Sequence, residues 1–265
     1  MRRRLDVEMV RQGLVSSRAE ARAAISAGLV TVGGAPASKA SALVAPDEAV
    51  ALLAGPRRFV SRGGDKLEAA MDEFGVEAAA LECLDAGAST GGFTDCLLQR
   101  GAARVVALDV GYGQLAWSLR QDPRVFVLER TNVRELDPEQ LPLQPQVVVA
   151  DLSFIPLRIT IPPLARVAGD CATFVLLVKP QFEADRGDVG RGGVVRDEAV
   201  WRLALDSVAS ACRAQGLGPQ GAMVSPVRGP AGNLEFFVHA VGGASERELD
   251  LDAVVDEGQR ILGAE

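Results

Sequence analysis

The chain has 265 residues, 48% of them hydrophobic and 24% charged, with a net charge of −7. That composition excludes a disordered chain and leaves room for one medium domain and a small one. No apolar run reaches the ~18 residues of a membrane span, and Arg2-Arg3-Arg4 is not followed by the apolar segment of a signal peptide; a cytoplasmic protein with no membrane partner is therefore expected.

The charge is unevenly spread. Residues 1–66 hold eleven Lys and Arg against six Asp and Glu, a balance of +5 that leaves −12 for the remainder. A basic head on an acidic body predicts that the head grips a polyanion. Within it, Leu5 to about Gln12 reads as a short helix broken at Gly13-Leu14-Val15. Ser17-Arg18-Ala19-Glu20 then has the form of a capping box. The second helix is expected to reach about Ala27, to bury Ala21, Ala24 and Ile25, and to stop at Gly28. Arg18 and Arg22, four residues apart, share one of its faces. The alternating Leu29-Val30-Thr31-Val32, a Gly33-Gly34 turn and a further strand ending near Leu52 complete a compact unit. The run from Ser17 to Arg22 with Ile25, Gly28, Val30, Val32 and Gly34 resembles the alpha-L RNA-binding module of a small-subunit ribosomal protein, pseudouridine synthases and a tyrosyl-tRNA synthetase. That resemblance implies an RNA-binding domain over residues 1–58, with Arg3, Arg4, Arg18 and Arg22 as RNA contacts.

Pro56 to Gly64 combines a helix breaker, charges and paired glycines, so residues 59–64 are expected to be a linker. A helix from about Asp65 carries Lys66, Leu67, Ala70, Met71 and Phe74 at helical spacing and opens a domain over 65–265. Short apolar runs then alternate with amphipathic stretches: 81–85, 105–109, 125–129, 147–151 and 174–179 are the expected strands of a doubly wound parallel sheet. Two more, 221–227 and 234–241, flank a tight connection and should form an antiparallel pair at one edge. This α/β arrangement is similar to the Rossmann-like class I S-adenosylmethionine-dependent methyltransferase fold, a seven-stranded sheet whose last strand is antiparallel. The single histidine, His239, lies in the last strand and reads as a satisfied structural residue. Four cysteines without CxxC spacing read as reduced structural thiols, and no zinc cluster is expected.

Asp85-Ala86-Gly87-Ala88-Ser89-Thr90-Gly91 sits where the first strand turns into a helix, a place where glycines let backbone approach a nucleotide. Asp109 follows Gly87 by 22 residues, close to the ~20 at which an acidic residue meets ribose hydroxyls. Asn132 and Val133 follow the third strand, where an adenine should lie. In an open parallel sheet the ligand crevice lies beyond the carboxyl ends of the strands, where Asp85, Asp109, Asp151 and Lys179 are expected. An antiparallel last strand would bring its first residue, Glu235, to the same edge, and Lys66 on the preceding helix can reach it. Arg62, Arg130 and Arg134 are further candidates for guiding RNA into the crevice, with Arg186 and Arg191 in the glycine-rich loop after Lys179.

The order Lys66, Asp151, Lys179, Glu235 resembles the Lys-Asp-Lys-Glu tetrad of ribose 2′-O-methyltransferases. The words Leu84 to Asp95, Asp109 to Leu115, Glu129 to Arg134, Asp151-Leu152-Ser153-Phe154-Ile155 and Lys179 to Glu183 resemble the TlyA family over nearly the whole chain. The family, whose members are often labelled haemolysins, pairs the alpha-L module with an FtsJ-like methyltransferase domain. It implies S-adenosylmethionine as donor, S-adenosylhomocysteine as product, and cytidine 2′-O-methylation of ribosomal RNA or subunits, with Phe154 among the cofactor contacts. No oligomeric state is implied. A ribose hydroxyl needs a base, and an ordinary lysine, with a pKa of about 10.4, is protonated at neutral pH. A second ammonium about 4 Å away would favour a neutral lysine, so Lys179 is read as base, Lys66 as orienting the hydroxyl, Asp151 as lying near the donor and both lysines, and Glu235 as fixing Lys66. The rival readings are a membrane-lytic toxin, a catalytically dead RNA-binding protein, and a pseudouridine synthase, whose motif Arg4-Leu5-Asp6 partly mimics.

Overall fold

The computed structural model describes residues 2–15, 17–26, 28–53, 58–185 and 187–263, which divide into two compact units, Met1–Arg57 and Arg58–Glu265. In the first, β1 (Arg3–Arg4) leads into helices α1 (Leu5–Arg11) and α2 (Arg18–Ser26), followed by β2 (Val30–Val32), β3 (Ala35–Pro36), β4 (Leu43–Val44) and β5 (Val50–Leu52). Ser17 Oγ accepts the amide of Glu20 at 3.2 Å, the forward half of the expected capping box. Gly28 follows with φ +72°, in the left-handed region glycine adopts at least cost. Leu5 and Met9 of α1 pack with Ala21 and Ile25 of α2 over Val30 and Val44. The expected ribbon is a three-stranded antiparallel sheet in the order β3-β2-β5, and β1 adds a separate pairing with β4. Ala27, where α2 was expected to end, lies outside the described residues.

The second unit begins earlier than the sequence signals indicate. Phe59 is buried, and Ser61 caps helix α3 (Arg62–Phe74) by accepting the amide of Gly63 at 3.3 Å. Residues 59–64 are therefore no linker. The paired glycines serve packing instead, since a Cβ on Gly64 would lie 2.2 Å from the Phe59 ring. The chain continues through β6 (Glu82–Ala86), α4 (Gly92–Gln99), β7 (Arg104–Leu108), α5 (Trp117–Arg120), β8 (Val125–Leu128), β9 (Val147–Ala150), α6 (Leu157–Val167), β10 (Thr173–Val178), α7 (Pro180–Glu183), α8 (Glu198–Ala214), β11 (Leu217–Val224), β12 (Phe236–Gly242) and α9 (Leu251–Gly263).

The seven strands lie in the order β11-β12-β10-β9-β6-β7-β8, with β12 inserted antiparallel between β10 and β11. Alternate side chains build two cores, as the two-residue period of a strand requires. Phe174, Leu176 and Val178 of β10 join α6, α8 and α9 on one face, while Val175 and Leu177 join α3, α4 and α5 on the other. No helix among the described residues is long and apolar enough to cross a membrane.

His239 stacks on Phe74 with ring centroids 5.2 Å apart, but its Nε2 has no hydrogen-bond partner, so it is structural without being satisfied. Burial lowers its pKa to about 4. Cys83, Cys96 and Cys212 are buried, and burial pushes their thiols up to about 12. Cys171 is exposed and contributes nothing to a core.

Candidate active site

Two cavities open along the carboxyl edge of the sheet. The first, about 470 Å³, lies beyond β6, β7 and β9 and is lined by Gly87, Ser89, Asp109, Asn132, Val133 and the segment from Asp151 to Ile155. Its volume is in the range of small-molecule sites. Asp109 stands just past the end of β7; its Oδ2 accepts the amide of Ser89 at 2.7 Å and its Oδ1 that of Gly111 at 2.6 Å. One carboxylate thus fastens the glycine loop to the next strand's loop. Asn132 Oδ1 accepts the amide of Arg134 at 3.1 Å, and this turns the chain so that Val133 lies against the cavity.

The glycines of the loop are needed for a different reason from the one expected. At Gly87, φ is +91° and a Cβ would lie 2.5 Å from the carbonyl oxygen of Asp151; at Gly91, φ is +100° and a Cβ would meet Leu119 at 2.2 Å. Both residues make room for the protein's own chain, and Gly87 also lines the cavity. Ala88 is buried in the core, whereas Ser89 and Thr90 are exposed. Asp85 departs from its expected place at a strand end facing the cofactor. It is fully buried inside β6, accepts the Thr94 hydroxyl at 2.6 Å, and leaves Oδ1 unpartnered. Burial pushes its carboxyl up to about 7, against the pull of the Thr94 hydrogen bond and with the help of the nearby Asp151 charge.

The second cavity, about 430 Å³, is lined by Ser153, Phe154, Lys179, Phe182, Gly229 and Glu235 among others. Ser153 and Phe154 line both cavities, so the two share a wall. Lys179, immediately after β10, crosses it: its Nζ lies 2.5 Å from Asp151 Oδ1 and 3.1 Å from Ser153 Oγ. Lys66 on α3 donates to Glu235 Oε2 at 2.5 Å. Glu235 stands one residue before β12, and Gly229 makes room for it, because a Cβ there would lie 2.6 Å from Glu235 Oε1. Lys66, Lys179 and Glu235 are all buried, and Asp151 is partly so. The tetrad is therefore two ion pairs, with Asp151 on Lys179 and Glu235 on Lys66. Phe154, 90% exposed and at φ +64°, stacks obliquely on Phe182 at 5.1 Å.

The arginines fall into two groups. Arg62, Arg130 and Arg134 are exposed in the second unit, and the Arg130 guanidinium lies 4.2 Å over the exposed Tyr112 ring. Arg3, Arg4, Arg18 and Arg22 belong to the first unit, where all four lie against buried carboxylates of α1. Arg186 lies outside the described residues, and Arg191 opens a short 3-10 turn.

Residues 59–241 match the FtsJ-like methyltransferase family. This chain is a member of that family. Residues 3–50 match the S4 domain, the small RNA-binding module foreseen at the N-terminus. Within FtsJ-like methyltransferases the similarity to TlyA proteins is extensive. The chain is 50% identical over 238 residues to the 16S/23S rRNA (cytidine-2'-O)-methyltransferase TlyA of Mycobacterium tuberculosis, covering 89% of each. It is 38% identical to Hemolysin A of Brachyspira hyodysenteriae, covering 90% of this chain and 99% of the relative. A solved structure named "Putative hemolysin from Streptococcus thermophilus" is 36% identical, covers 99% of this chain and 98% of that one, and superposes with a TM-score of 0.76.

Several residues of this FtsJ-like site are visible only in three dimensions. Ser153 and Phe182 sit inside the TlyA words quoted from the sequence, yet nothing in spacing shows that one holds Lys179 and the other stacks on Phe154. Glu183 is buried and caps α6 from outside, accepting the Leu157 amide at 2.6 Å; burial pushes its carboxyl up to about 7. Pro156 at the helix start supplies no side-chain cap, and this is the one sequence signal that a partner from elsewhere is needed.

Proposed function

We propose that the protein transfers the methyl group of S-adenosylmethionine to the ribose 2′-hydroxyl of a cytidine in small-subunit ribosomal RNA, with the large subunit as a second substrate, and that it does so in the cytoplasm. The observation that carries this reading is the Asp151–Lys179 pair. It joins a cavity suited to a nucleotide-like donor to a second cavity where a basic group can meet a hydroxyl. The cytidine, the 2′ position and the two subunits come from what the TlyA relative is named for.

The residues of the first cavity fit the donor. Gly87 and Ser89 line the side suited to its amino-acid end, the Asp109 carboxylate suits a ribose diol, and Asn132 with Val133 offers one polar and one apolar contact to an adenine. S-adenosylmethionine supplies a methyl group activated by a positive sulfur and leaves as S-adenosylhomocysteine. This chain's own residues manage the proton. Lys179, once its ion-paired ammonium has released a proton, takes this one from the 2′-hydroxyl as the oxygen acquires the methyl group. Asp151 then faces the resulting ammonium, and Ser153 fixes the direction of Nζ. Lys66, held by Glu235, donates to the hydroxyl oxygen and sets its orientation.

The test is transfer of isotopically labelled methyl to ribosomal subunits from cells lacking the gene, followed by mass mapping of the modified nucleotide. The expected product is 2′-O-methylcytidine. Label on a base, or none on either subunit or on their free RNA, would overturn the reading.

A further inference from the structure

The S4 unit buries two carboxylates on the short helix α1, Asp6 at 0% and Glu8 at 1% exposure. Acidic side chains are almost never so buried unless paired, and these two are paired several times over. Asp6 accepts Nε and Nη2 of Arg4 at 3.0 and 3.1 Å and Nε and Nη2 of Arg18 at 3.3 and 2.9 Å, with Arg22 Nε at 3.6 Å. Glu8 accepts Nε and Nη2 of Arg11 and the Gln12 amide, with Arg3 Nη1 at 3.7 Å. All five arginine side chains remain between 43% and 59% exposed.

The manner of the grip matters as much as the count. Arg4, Arg11 and Arg18 each use the Nε–Nη2 edge of the guanidinium on a buried carboxylate, and Nη1 of each makes no hydrogen bond to another described residue. A guanidinium has a second edge of the same geometry, which fits two phosphate oxygens. Five guanidiniums over two carboxylates keep a surplus of three positive charges. The Arg4 hydrogen bonds hold Asp6 well below the usual carboxylate range, and those of Arg11 hold Glu8 down at about 2, so both stay ionised at physiological pH. A free arginine has to give up side-chain rotamer entropy to meet a phosphate, and one already fixed by a carboxylate gives up less.

We infer that Asp6 and Glu8 are positioning residues that pre-form a phosphate-binding face from Arg3, Arg4, Arg11, Arg18 and Arg22. Removing either negative charge then weakens RNA binding although it makes the unit more cationic. The inference rests on the S4 unit being the part that holds RNA. It opposes simple charge counting, which has Asp6→Asn binding a polyanion more tightly.

The experiment compares full-length parent, Asp6→Asn, Glu8→Gln and Arg18→Ala for binding to purified small ribosomal subunits over a salt series. Circular dichroism melts monitor folding, and nitrogen-15 spectra follow the arginine Nε–H signals. Asp6→Asn is expected to bind about 10-fold more weakly at every salt concentration with its salt slope kept. The protected Nε–H signals of Arg4 and Arg18 should be lost while the melt persists. Should Asp6→Asn fail to fold, Glu8→Gln carries the same expectation through Arg11. Equal or tighter binding by the folded variants overturns the inference. Parent-like binding by Arg18→Ala would instead remove its foundation, that this unit holds the RNA.

Discussion

Lys66 and Glu235 stand 169 positions apart in the chain and meet at 2.5 Å as a buried ion pair under the second cavity. Truncating one partner of such a pair strands a charge, so Glu235→Ala is expected to cost about 3–5 kcal/mol of stability, whereas Lys66→Met with Glu235→Leu recovers most of it. If the pair orients the hydroxyl, neither protein transfers methyl. Denaturant unfolding beside single-turnover rates separates the two effects, and a stable, active double variant would show that the pair is only structural.

Lys179 is expected to be indispensable as a proton acceptor. Lys179→Ala should lower turnover by about 10²–10⁴-fold, the usual worth of a general base, with cofactor affinity nearly unchanged. Lys179→Arg keeps the charge beside Asp151 but cannot give up its proton, so it should be as inactive as the alanine variant. Parent-like turnover by the arginine variant would leave Lys179 an electrostatic role alone.

Asp109 ties Ser89 to Gly111 through both carboxylate oxygens. Its loss should loosen the loop and remove the acceptor for the ribose diol. Calorimetry on Asp109→Ala is expected to show cofactor binding weakened about 10- to 100-fold, the worth of one or two hydrogen bonds to a charged group. Binding of ribosomal subunits should be nearly intact, and unchanged cofactor affinity would refute the assignment.

Asp85 and Glu183 predict an acid-side stability optimum. Their folded-state values of about 7 lie above the ordinary carboxylate range, so between roughly pH 4 and pH 7 the folded state holds more protons than the unfolded one. Stability should therefore fall as pH rises through that window, at roughly 1.4 kcal/mol per unit of displacement for each group. Asp85→Asn keeps an acceptor for Thr94 and carries no charge; its melting temperature should exceed the parent's above pH 7, and the pH dependence should flatten. Parallel melting curves for the two proteins would contradict this.

The carboxyl edge of the sheet was readable because apolar runs stop at charged residues: Asp109, Asp151 and Lys179 each stand one residue past a strand. Asp85 has the same appearance in sequence but lies one residue before the end of β6, and it points into the protein. Gly63 and Gly64 show the opposite limit, since a Pro- and Gly-rich stretch reads as a break while here the glycines admit Phe59 and the start of α4. Membership of the tetrad was legible, and so was the contact of Glu235 with Lys66, which it meets at 2.5 Å. The two lysines were also expected to act on each other, with Asp151 near both, whereas Asp151 pairs with Lys179 and each lysine is held by its own carboxylate, a matter of rotamers that spacing does not encode. The +5 balance of residues 1–66 overstated the free cation count of the head, because contacts such as Arg18 to Asp6, twelve residues apart, convert part of it into internal pairs.

The position of β12 has a genetic corollary. Because this late strand is threaded between β10 and β11 and is preceded directly by Glu235, a reading frame interrupted anywhere before codon 235 can neither close the sheet nor complete the tetrad. Nonsense alleles scattered between about codons 58 and 235 should thus share one phenotype, loss of methylation. Their products nonetheless still encode the arginine-rich first 57 residues, and those that survive proteolysis would compete with the intact enzyme for its target.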